Sequence, residues 1–588
     1  MCGIIGYQSQ NKEAFDKLDE GLKRLEYRGY DSFGFATISE GNLLVEKKIG
    51  KVSTSSIKPL PGKIGIGHTR WATHGKVTEK NTHPHKDCAG RLAVVHNGII
   101  ENFQELKKDL ILKEHIFLGE TDTEIIAHSI EEFLKIGYNL KQAVIGTGNL
   151  LKGRNAFVVL DSTTNKMIAF RNGSPLIIGI KESEIFLASD IQAFLHETNE
   201  VMYIDDNEIV VINGGIEFFN LKNGEKIEKR RIKIDLDSNV FEKGDYKDYM
   251  LKEIMEQKET LAKAINQDAQ KILHVAQEIN NAKNVFFIGC GTAARVAHTA
   301  EYVFSMVADR QVNFIPASEF ENYKHFLLPE TLVIAISQSG ETADVLEALN
   351  VAKEKKSRII SITNSPESTI AKMADFPFLI NAGPERAVAS TKATTAQIAL
   401  VILLAYACTG ELIEGDKVLL DVAGKVNDML NPRYKEHIKA LAEKIFKKEN
   451  AFIIGRGINY PMALESAIKI MEVSYINSQG FAGGELKHGP IALIEENTPV
   501  IALVSEGKTK EEIISNAIEV KSRGAYIVGV SPENNEVFDY WIKVPEVDEV
   551  ASSLVNLIPM QLLSYYLGKF RGHDVDCPRS LAKSVTVK

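Results

Sequence analysis

Cys2 directly follows the initiator methionine and is the first residue of this chain that could do covalent chemistry. Once Met1 is removed, Cys2 carries both a thiol nucleophile and an α-amine with a pKa of about 8. The amine can act as the base that generates the thiolate, so that one residue supplies nucleophile and base. A lone cysteine at this position is more often incidental than catalytic, so the interpretation depends on the other motifs.

Three further segments of the N-terminal region are dense in polar chemistry. They read HTRWATHG at residues 68–75, HNG at residues 96–98 and GETDTE at residues 119–124. The second follows a β-type run, where a sharp turn can expose a side-chain amide and a backbone N–H, the two donors that an oxyanion needs. The third places a carboxylate at the start of a helix. Taken singly, each segment could be only a turn or a helix cap.

A hydroxyl-rich segment, SQSGET at residues 337–342, lies between an apolar strand and a predicted helix. Hydroxyls, an amide and free backbone N–H groups at a helix N-terminus suit a phosphate dianion without any lysine. A plain Ser/Thr helix cap is the alternative, and the motif alone does not decide between the two.

Three later segments carry acid–base groups. ESAIKIME at residues 465–472 predicts a helix with Lys469 and Glu472 one turn apart on one face. GGELKHGP at residues 483–490 puts His488 in a Gly-rich loop, and the C-terminal segment holds Lys583. By themselves, a surface ion pair and a solubilising tail would explain these residues.

The elements that must position these groups differ between the two halves of the chain. Roughly the first 240 residues, a domain-sized length, show short β-type runs with helices predicted over residues 15–25 and 123–134, which is an α+β pattern. A polar, charge-rich stretch over residues 235–247 indicates a linker. Beyond it, apolar strands over 285–288, 332–336 and 359–362 alternate with helices, as in parallel sheets covered on both faces.

The second half of the chain also repeats itself. NVFFIGCG at 284–291 matches NAFIIGRG at 450–457, TLVIAI at 331–336 matches TPVIAL at 498–503, and a third strand pair follows at the same spacing. Three matches in order at a near-constant offset favour duplication over a chance likeness of Val/Ile strands. We therefore predict two doubly wound α/β lobes in tandem. The second copy of SQSGET reads VSEGKT at 504–509, which has lost hydroxyls and gained Glu506.

Composition argues against several classes of function. A net charge of −9 and a pI near 6.0 disfavour nucleic-acid binding. The longest apolar run, residues 398–408, is too short to cross a bilayer and predicts a buried helix. No targeting segment is visible, so a cytoplasmic location away from membranes is expected. The five cysteines are scattered without a CxxC pair, which predicts neither a disulfide framework nor a zinc site.

The motifs occur in the order found in N-terminal-nucleophile glutamine amidotransferases. MCGI at residues 1–4, YRGYDS at 27–32 and the three N-terminal segments above carry this match, and the whole chain resembles the glutamine–fructose-6-phosphate aminotransferase family. The resemblance implies an α+β N-terminal-nucleophile glutaminase domain followed by two tandem α/β doubly wound sugar-isomerase (SIS) lobes. The implied divisions are a glutaminase domain at 2–238, a linker at 239–248, lobes at 249–430 and 431–575, and a catalytic tail at 576–588.

The resemblance also implies roles for residues of the glutaminase motifs. Cys2 attacks the glutamine side-chain amide and releases ammonia, while Asn97 and Gly98 form the oxyanion hole. Arg70 and Asp122 clamp the α-carboxylate and α-amine, as a zwitterion requires. The full set of implied glutamine-binding residues is Arg70, Trp71, Thr73, His74 and Asp122.

For the sugar site, the resemblance implies that Glu472 moves a proton between C1 and C2, with Lys469 beside it. His488 opens the sugar ring, and Lys583 forms a Schiff base with the open ketose. The implied sugar-phosphate-binding residues are Thr292, Ser337, Gln338, Ser339, Thr342, Val388, Ser390 and Ala582. Ala293 departs from the family, which usually has a serine there.

The implied function is the transfer of ammonia from glutamine to fructose 6-phosphate, with isomerisation to glucosamine 6-phosphate and no metal or organic cofactor. A homodimer is expected, because His488 in related enzymes reaches the site from the partner subunit. Two alternatives stay open. One is the same chemistry on another ketose phosphate, for which Ala293 is the only hint. The other is a sugar-phosphate-sensing regulatory protein with a vestigial glutaminase, although a sensor has no need of nucleophiles.

Overall fold

The computed structural model describes residues 2–72, 75–234 and 242–586. The chain divides into two compact units. The first unit comprises Met1–Glu242 together with Ala582–Lys588, and the second comprises Lys243–Leu581.

Within its described residues, the first unit combines many short strands with four α-helices. Its strands are β1 Gly3–Ser9, β2 Ser32–Ser39, β3 Asn42–Ile49, β4 Ile64–Arg70, β5 His85–Lys86, β6 Leu92–Gly98, β7 Asn155–Asp161, β8 Lys166–Asn172, β9 Ile177–Lys181, β10 Glu184–Ala188, β11 Glu200–Tyr203, β12 Glu208–Ile212, β13 Ile216–Asn220, β14 Lys226–Ile227 and β15 Ile232–Lys233. Its helices are α1 Phe15–Leu25, α2 Phe103–Leu112, α3 Glu124–Lys135 and α4 Leu140–Leu150.

Two sheets lie at the centre of this unit. Their strand orders are β15-β11-β9-β10-β1-β4-β2-β3 and β14-β13-β12-β8-β7-β6-β5. Alternate side chains of both sheets, among them Ile4, Ile66, Val95 and Val158, form one apolar core between them. Helix α1 packs on the outer face of the first sheet and α2 to α4 on the outer face of the second. The unit is therefore a four-layer α/β/β/α sandwich.

The second unit alternates strands with longer helices. Its strands are β16 Asn284–Gly289, β17 Asn313–Pro316, β18 Thr331–Ser337, β19 Arg358–Thr363, β20 Phe376–Leu379, β21 Asn450–Gly455, β22 Asn477–Ala482, β23 Pro499–Leu503, β24 Tyr526–Ser531 and β25 Tyr540–Lys543. Its helices are α5 Tyr249–Met255, α6 Gln257–Ile265, α7 Ala269–Asn281, α8 Gly291–Val307, α9 Ala343–Glu354, α10 Thr369–Met373, α11 Lys392–Cys408, α12 Leu412–Met429, α13 Pro432–Ile445, α14 Asn459–Ser474, α15 Lys510–Lys521 and α16 Ser552–Phe570.

The strands of the second unit form two parallel sheets with the same layout. Their orders are β17-β16-β18-β19-β20 and β22-β21-β23-β24-β25. The matched strands occupy equivalent places, which confirms the predicted duplication. Helices cover both faces of each sheet, and one continuous core joins the two lobes. The predicted fold class is therefore confirmed.

Two helices of the shared core are mostly apolar and are buried on almost all sides. Helix α11 is buried along almost its whole length, as predicted for residues 398–408. The segment Glu549–Phe570, which includes α16, is long and apolar enough to cross a membrane, but 94% of its apolar window is buried within the protein. A core helix of a globular protein has the same properties.

Candidate functional site

Cys2 lies at the N-terminal end of β1, beside the C-terminal end of β4. The antiparallel register pairs Gly3 with Thr69, which brings Cys2 next to Trp71. The Trp71 backbone N–H donates to the Cys2 Sγ at 3.3 Å. Burial raises the pKa of the Cys2 thiol. The thiol therefore needs a base close by before it can act as a nucleophile.

Asn97 and Gly98 end the neighbouring strand β6 at the same cavity. The Asn97 Nδ2 donates to the Cys2 carbonyl oxygen at 2.9 Å, and the His68 Nε2 lies 3.2 Å from the Asn97 Oδ1. Burial lowers the pKa of His68 to about 3, so the ring is neutral and its Nε2 donates. Gly98 has a φ of 141°, and a Cβ there would lie 2.3 Å from the Arg154 carbonyl oxygen. Only glycine fits this turn.

Arg70 and Asp122 bring opposite charges to this cavity while remaining almost completely buried. The Arg70 guanidinium donates to the carbonyl oxygens of Gly75 and Lys76, and the Asp122 carboxylate accepts from the Ile100 N–H at 2.8 Å. These contacts hold both groups in place. The cavity is lined by Cys2, Arg70, Trp71, His83, His96, Gly98, Thr121, Asp122 and Thr123. Thr73 and His74, which were also predicted here, lie outside the described residues.

Sequence reasoning missed the histidine–threonine network behind this cavity. The Thr123 hydroxyl lies 3.2 Å from the His83 Nε2 and 3.1 Å from the His96 Nδ1, and burial lowers the pKa of both rings. The only available signal was the clustering of three histidines at 83, 85 and 96 around the HNG motif.

In the second unit, the SQSGET segment forms the turn between β18 and α9. The Ser337 Oγ accepts from the Gly340 N–H and lies 3.1 Å from the Thr342 Oγ1. The Ser339 Oγ accepts from the Glu341 N–H at 3.2 Å. Thr342 is the N-cap of α9, and its own side chain makes no capping hydrogen bond. Hydroxyls and the first N–H groups of the helix thus share one turn, which suits an anion.

The other predicted sugar residues of this unit lie on neighbouring elements. Thr292 lies in the first turn of α8, and its hydroxyl donates to the Glu465 Oε1 at 3.1 Å. The Val388 N–H donates to the Asp576 carbonyl oxygen, and the Ser390 hydroxyl donates to the Glu385 carboxylate. The contact between Thr292 and Glu465 joins the first lobe to the second.

Lys469 lies between two carboxylates on helix α14. Its ammonium bonds the Glu472 carboxylate and lies 3.4 Å from the Glu465 Oε1. The side chains of Lys469 and Glu465 are buried, whereas 24% of the Glu472 side chain is exposed. Burial opposes the charge of Lys469, but the two carboxylates still raise its pKa. Glu472 is therefore the member of this triad that a ligand could reach.

Sequence reasoning assigned no role to Glu465. Burial raises its pKa to about 7, despite the nearby Lys469 ammonium. A buried carboxyl group that titrates near neutral pH can exchange protons during a reaction. Its spacing of four residues from Lys469 and seven from Glu472 was the signal that could have revealed it, since these spacings share one helix face.

The structure does not bring every predicted catalytic residue into these two clusters. His488 ends a 3₁₀ turn, Gly483–His488, and is exposed. It lines an open cavity of about 410 Å³ in the second unit, together with Tyr302, Arg456, Gly457, Tyr460, Ala482, Gly484, Glu485, Lys487 and Thr509. Ala582 and Lys583 belong to the segment grouped with the first unit, so their place in a sugar site stays a prediction.

Family models match both units. A glutamine amidotransferase domain model matches residues 68–196, and a SIS domain model matches residues 278–407 and 444–567. The two SIS matches correspond to the two lobes of the second unit.

Similar proteins extend over the whole chain. A glutamine–fructose-6-phosphate aminotransferase (isomerizing) from Thermococcus kodakarensis is 42% identical, and one from Clostridium acetobutylicum is 41% identical; each match covers 100% of both chains.

Among solved structures, the C-terminal domain of glucosamine-fructose-6-phosphate aminotransferase from Francisella tularensis matches 57% of this chain and all of its own, with a TM-score of 0.53 and 31% identity. The tagatose-6-phosphate ketose/aldose isomerase from Escherichia coli matches 56% of this chain and 95% of its own, with a TM-score of 0.50. At 19% identity, it supports the fold alone. Because relatives about 40% identical over their full length share this name, the chain belongs to the glutamine–fructose-6-phosphate aminotransferase (isomerizing) family.

Proposed function

We propose that this chain is an enzyme that transfers ammonia from glutamine to fructose 6-phosphate and isomerises the product to glucosamine 6-phosphate. The observation that carries the proposal is the presence, in one chain, of a cysteine cavity with paired charges and of a hydroxyl-lined helix N-terminus. A glutaminase alone would not need the second site, and a sugar isomerase alone would not need the first.

In the first unit, Cys2 is proposed to attack the amide carbon of glutamine. The thiol proton passes to the α-amine, which is free once Met1 has been removed, and then to the departing ammonia. Asn97 and Gly98 donate to the oxyanion, and water hydrolyses the thioester to glutamate. Arg70 and Asp122 bind the α-carboxylate and the α-amine, and Trp71, Thr73 and His74 complete the glutamine site.

In the second unit, the SQSGET turn is proposed to bind the phosphate of fructose 6-phosphate. The four hydroxyl and amide side chains at positions 337, 338, 339 and 342 surround the first N–H groups of α9, which offer hydrogen bonds and the positive end of a helix dipole. Thr292, Val388, Ser390 and Ala582 line the sugar.

Glu472 is proposed to move the proton between C1 and C2 of the sugar. Its carboxylate is partly exposed, and Lys469 holds it in place from the buried side. Lys583 is proposed to condense with C2 of the open ketose, with loss of water, and the incoming ammonia then displaces the lysine. His488 is proposed to open the ring from a second subunit, which fits its exposure in a single chain.

The proposal also covers the location, the assembly state and the domain divisions of the enzyme. We infer a cytoplasmic homodimer that binds no nucleic acid and no membrane. The proposed divisions are a glutaminase domain at 2–238, a linker at 239–248, lobes at 249–430 and 431–575, and a tail at 576–588.

A pair of assays on the purified full-length chain tests this function. Wild-type protein with glutamine and fructose 6-phosphate should release glutamate and glucosamine 6-phosphate in equal amounts. Cys2→Ala should lose glutamate release but retain fructose 6-phosphate binding. Retained glutaminase activity in Cys2→Ala, or a clear preference for another ketose phosphate, would overturn the proposal.

The tail is tested separately. Lys583→Arg should abolish glucosamine 6-phosphate formation, because a guanidinium stays protonated and cannot form an imine. Borohydride should trap fructose 6-phosphate on Lys583 in the wild-type chain. A normal rate of synthesis by Lys583→Arg would show that the tail lysine has no catalytic role.

A further inference from the structure

Four side chains of types that bind metals converge in the first unit, outside the cavity that Cys2 lines. They are Cys88, His115, His128 and Glu131, and one ligand atom from each lies within 4.8 Å of all the others. Cys88 follows β5, His115 lies between α2 and α3, and the other two residues belong to α3. Three separate segments of the chain therefore meet at one point.

Four of the six distances between these atoms are close to those of a tetrahedral zinc site. The Cys88 Sγ lies 3.6 Å from the Nδ1 atoms of both His115 and His128. The Glu131 Oε2 lies 3.1 Å from the His115 Nδ1 and 3.5 Å from the His128 Nδ1. Usual zinc–ligand bond lengths and tetrahedral angles place sulfur and nitrogen about 3.6 Å apart, and nitrogen and oxygen about 3.4 Å apart.

The contacts around the cluster orient its side chains. The His115 Nε2 lies 2.8 Å from the Glu132 carboxylate, which turns the Nδ1 of the same ring toward the other three residues. A metal ion between this Nδ1 and the Glu131 oxygen would bind both atoms. The Glu132 contact also matches the carboxylate that commonly orients a metal-bound histidine.

The remaining contacts suit a bound thiolate. The Ile116 N–H donates to the Cys88 Sγ at 3.5 Å, and the Cys88 N–H donates to the Glu131 carboxylate at 3.2 Å. One thiolate and one carboxylate would also balance the two positive charges of Zn²⁺.

We propose that Cys88, His115, His128 and Glu131 bind one structural zinc ion in the glutaminase unit. The CxxC criterion did not detect this site because the ligands are dispersed along the chain at 88, 115, 128 and 131. All four protein ligands fill the coordination sphere, which is the pattern of structural rather than catalytic zinc. The ion would fix α3, which begins two residues after Asp122, to the loop that follows β5.

Metal analysis of the full-length chain, purified without chelators, tests this proposal. The wild type should contain about one zinc per chain, the number that a single four-ligand site holds. Cys88→Ser and His115→Gln should each lose it. Two matched controls should keep it: Cys2→Ser, which removes the other thiol of this unit, and His196→Gln, which disrupts the cluster of Glu20, His196 and Glu197.

Cobalt substitution keeps the proposal testable if a variant folds poorly. Co²⁺ added to chelator-treated wild type should give a thiolate-to-cobalt charge-transfer band and the intense visible bands of tetrahedral cobalt. Both should appear in Cys2→Ser. Wild type that binds neither metal would overturn the proposal, as would a zinc content retained in Cys88→Ser but lost in Cys2→Ser.

Discussion

The two lobes of the second unit have the same sheet order but differ at the turn that follows the third strand of each sheet. In the first lobe, the turn after β18 carries Ser337, Ser339 and Thr342, whose hydroxyls bond backbone N–H groups and each other. In the second lobe, the turn after β23 carries Glu506, which forms ion pairs with Lys510. An anion would meet hydroxyls in one lobe and a carboxylate in the other.

The polar groups of the second turn also form hydrogen bonds that stabilise the fold. The Ser505 hydroxyl is buried and accepts from the Asn459 Nδ2 at 3.0 Å, while the Asn459 Oδ1 accepts from the Asn556 Nδ2 at 2.9 Å. This chain of bonds links the turn to α14 and α16. The comparison shows that duplication preserved the strands and helices, while the turns diverged into a binding site in one lobe and a structural link in the other.

The largest expected effect concerns the contribution of the second lobe to the chemistry. Glu472→Gln keeps the size of the side chain but removes the proposed base. Synthesis of glucosamine 6-phosphate should fall by about 10²-fold to 10⁴-fold, the usual contribution of general acid–base catalysis. Steady-state product formation measures the loss.

Two further measurements on Glu472→Gln make the result specific. Glutamate release and fructose 6-phosphate binding should both persist, because Cys2 and the SQSGET turn are unchanged. If synthesis fell less than about tenfold, below the usual range for a lost general base, Glu472 would be only a partner of Lys469.

The next largest expected effect is a pH dependence of the free energy of unfolding that originates in the second lobe. Burial raises the pKa of Glu465 from 4.5 to about 7, so the folded state favours the protonated form. This stabilisation is complete below pH 4.5 and is lost as pH rises through 7. The shift corresponds to about 3 kcal/mol of unfolding free energy. Wild type should therefore lose stability relative to Glu465→Gln as pH increases from about 5 to 8, the span over which a group with this pKa changes charge.

The fluorescence of Trp541 can report this change in stability for the second lobe specifically. The chain has two tryptophans, and in a Trp71→Phe background only Trp541, on β25 of the second lobe, remains. Guanidinium unfolding followed by its fluorescence should show the changing difference between wild type and Glu465→Gln. Glu465→Gln also loses the contact with Lys469, which adds an offset to its free energy of unfolding. The quantity to compare is therefore the slope of this free energy with pH. Glu511→Gln, an exposed position on α15, should run parallel to wild type.

A smaller expected effect is a difference in fructose 6-phosphate affinity between variants of the two turns. Ser339→Ala should weaken fructose 6-phosphate binding about tenfold, the value of one hydrogen bond to a charged group. Ser505→Ala should leave the affinity within about twofold, because its hydroxyl bonds Asn459 rather than a ligand. Isothermal titration of the full-length chain should also give one site per chain. Two equivalent sites would contradict the functional asymmetry of the lobes.

The sequence predicted the fold well because both kinds of sheet leave clear patterns. The helix over 15–25 begins and ends as predicted, since Phe15, Leu18, Leu22 and Leu25 form one apolar stripe. The strands of the second unit were recognisable as short runs that are apolar on both faces. The motif residues around Cys2 were found because their order along the chain is distinctive.

What the sequence did not reveal depends on contacts between distant segments. Glu465 looks like an ordinary helix surface residue until α8 brings Thr292 to within 3.1 Å of it. The Cys88 cluster is likewise invisible along the chain, because its ligands come from a loop, a second loop and a helix. Burial and convergence are properties of the folded chain, and local patterns do not encode them.

The smallest expected effect tests the structural side of the comparison. Ser505→Ala removes the acceptor of the Asn459 amide inside the second lobe, where the serine is only 4% exposed. An unpaired buried donor costs about 1–3 kcal/mol. A lobe of this size should then lose roughly 2–4 °C in Tm for each kcal/mol. The Trp541 signal in the Trp71→Phe background measures this change in the second lobe. Ser339→Ala, at a half-buried position of the first lobe, should shift this transition by less than about 1 °C, because substitutions away from the packed interior of a lobe usually change stability little. If Ser339→Ala destabilised the second lobe as much as Ser505→Ala, both turns would be structural. The interpretation of the first turn as a binding loop would then be wrong.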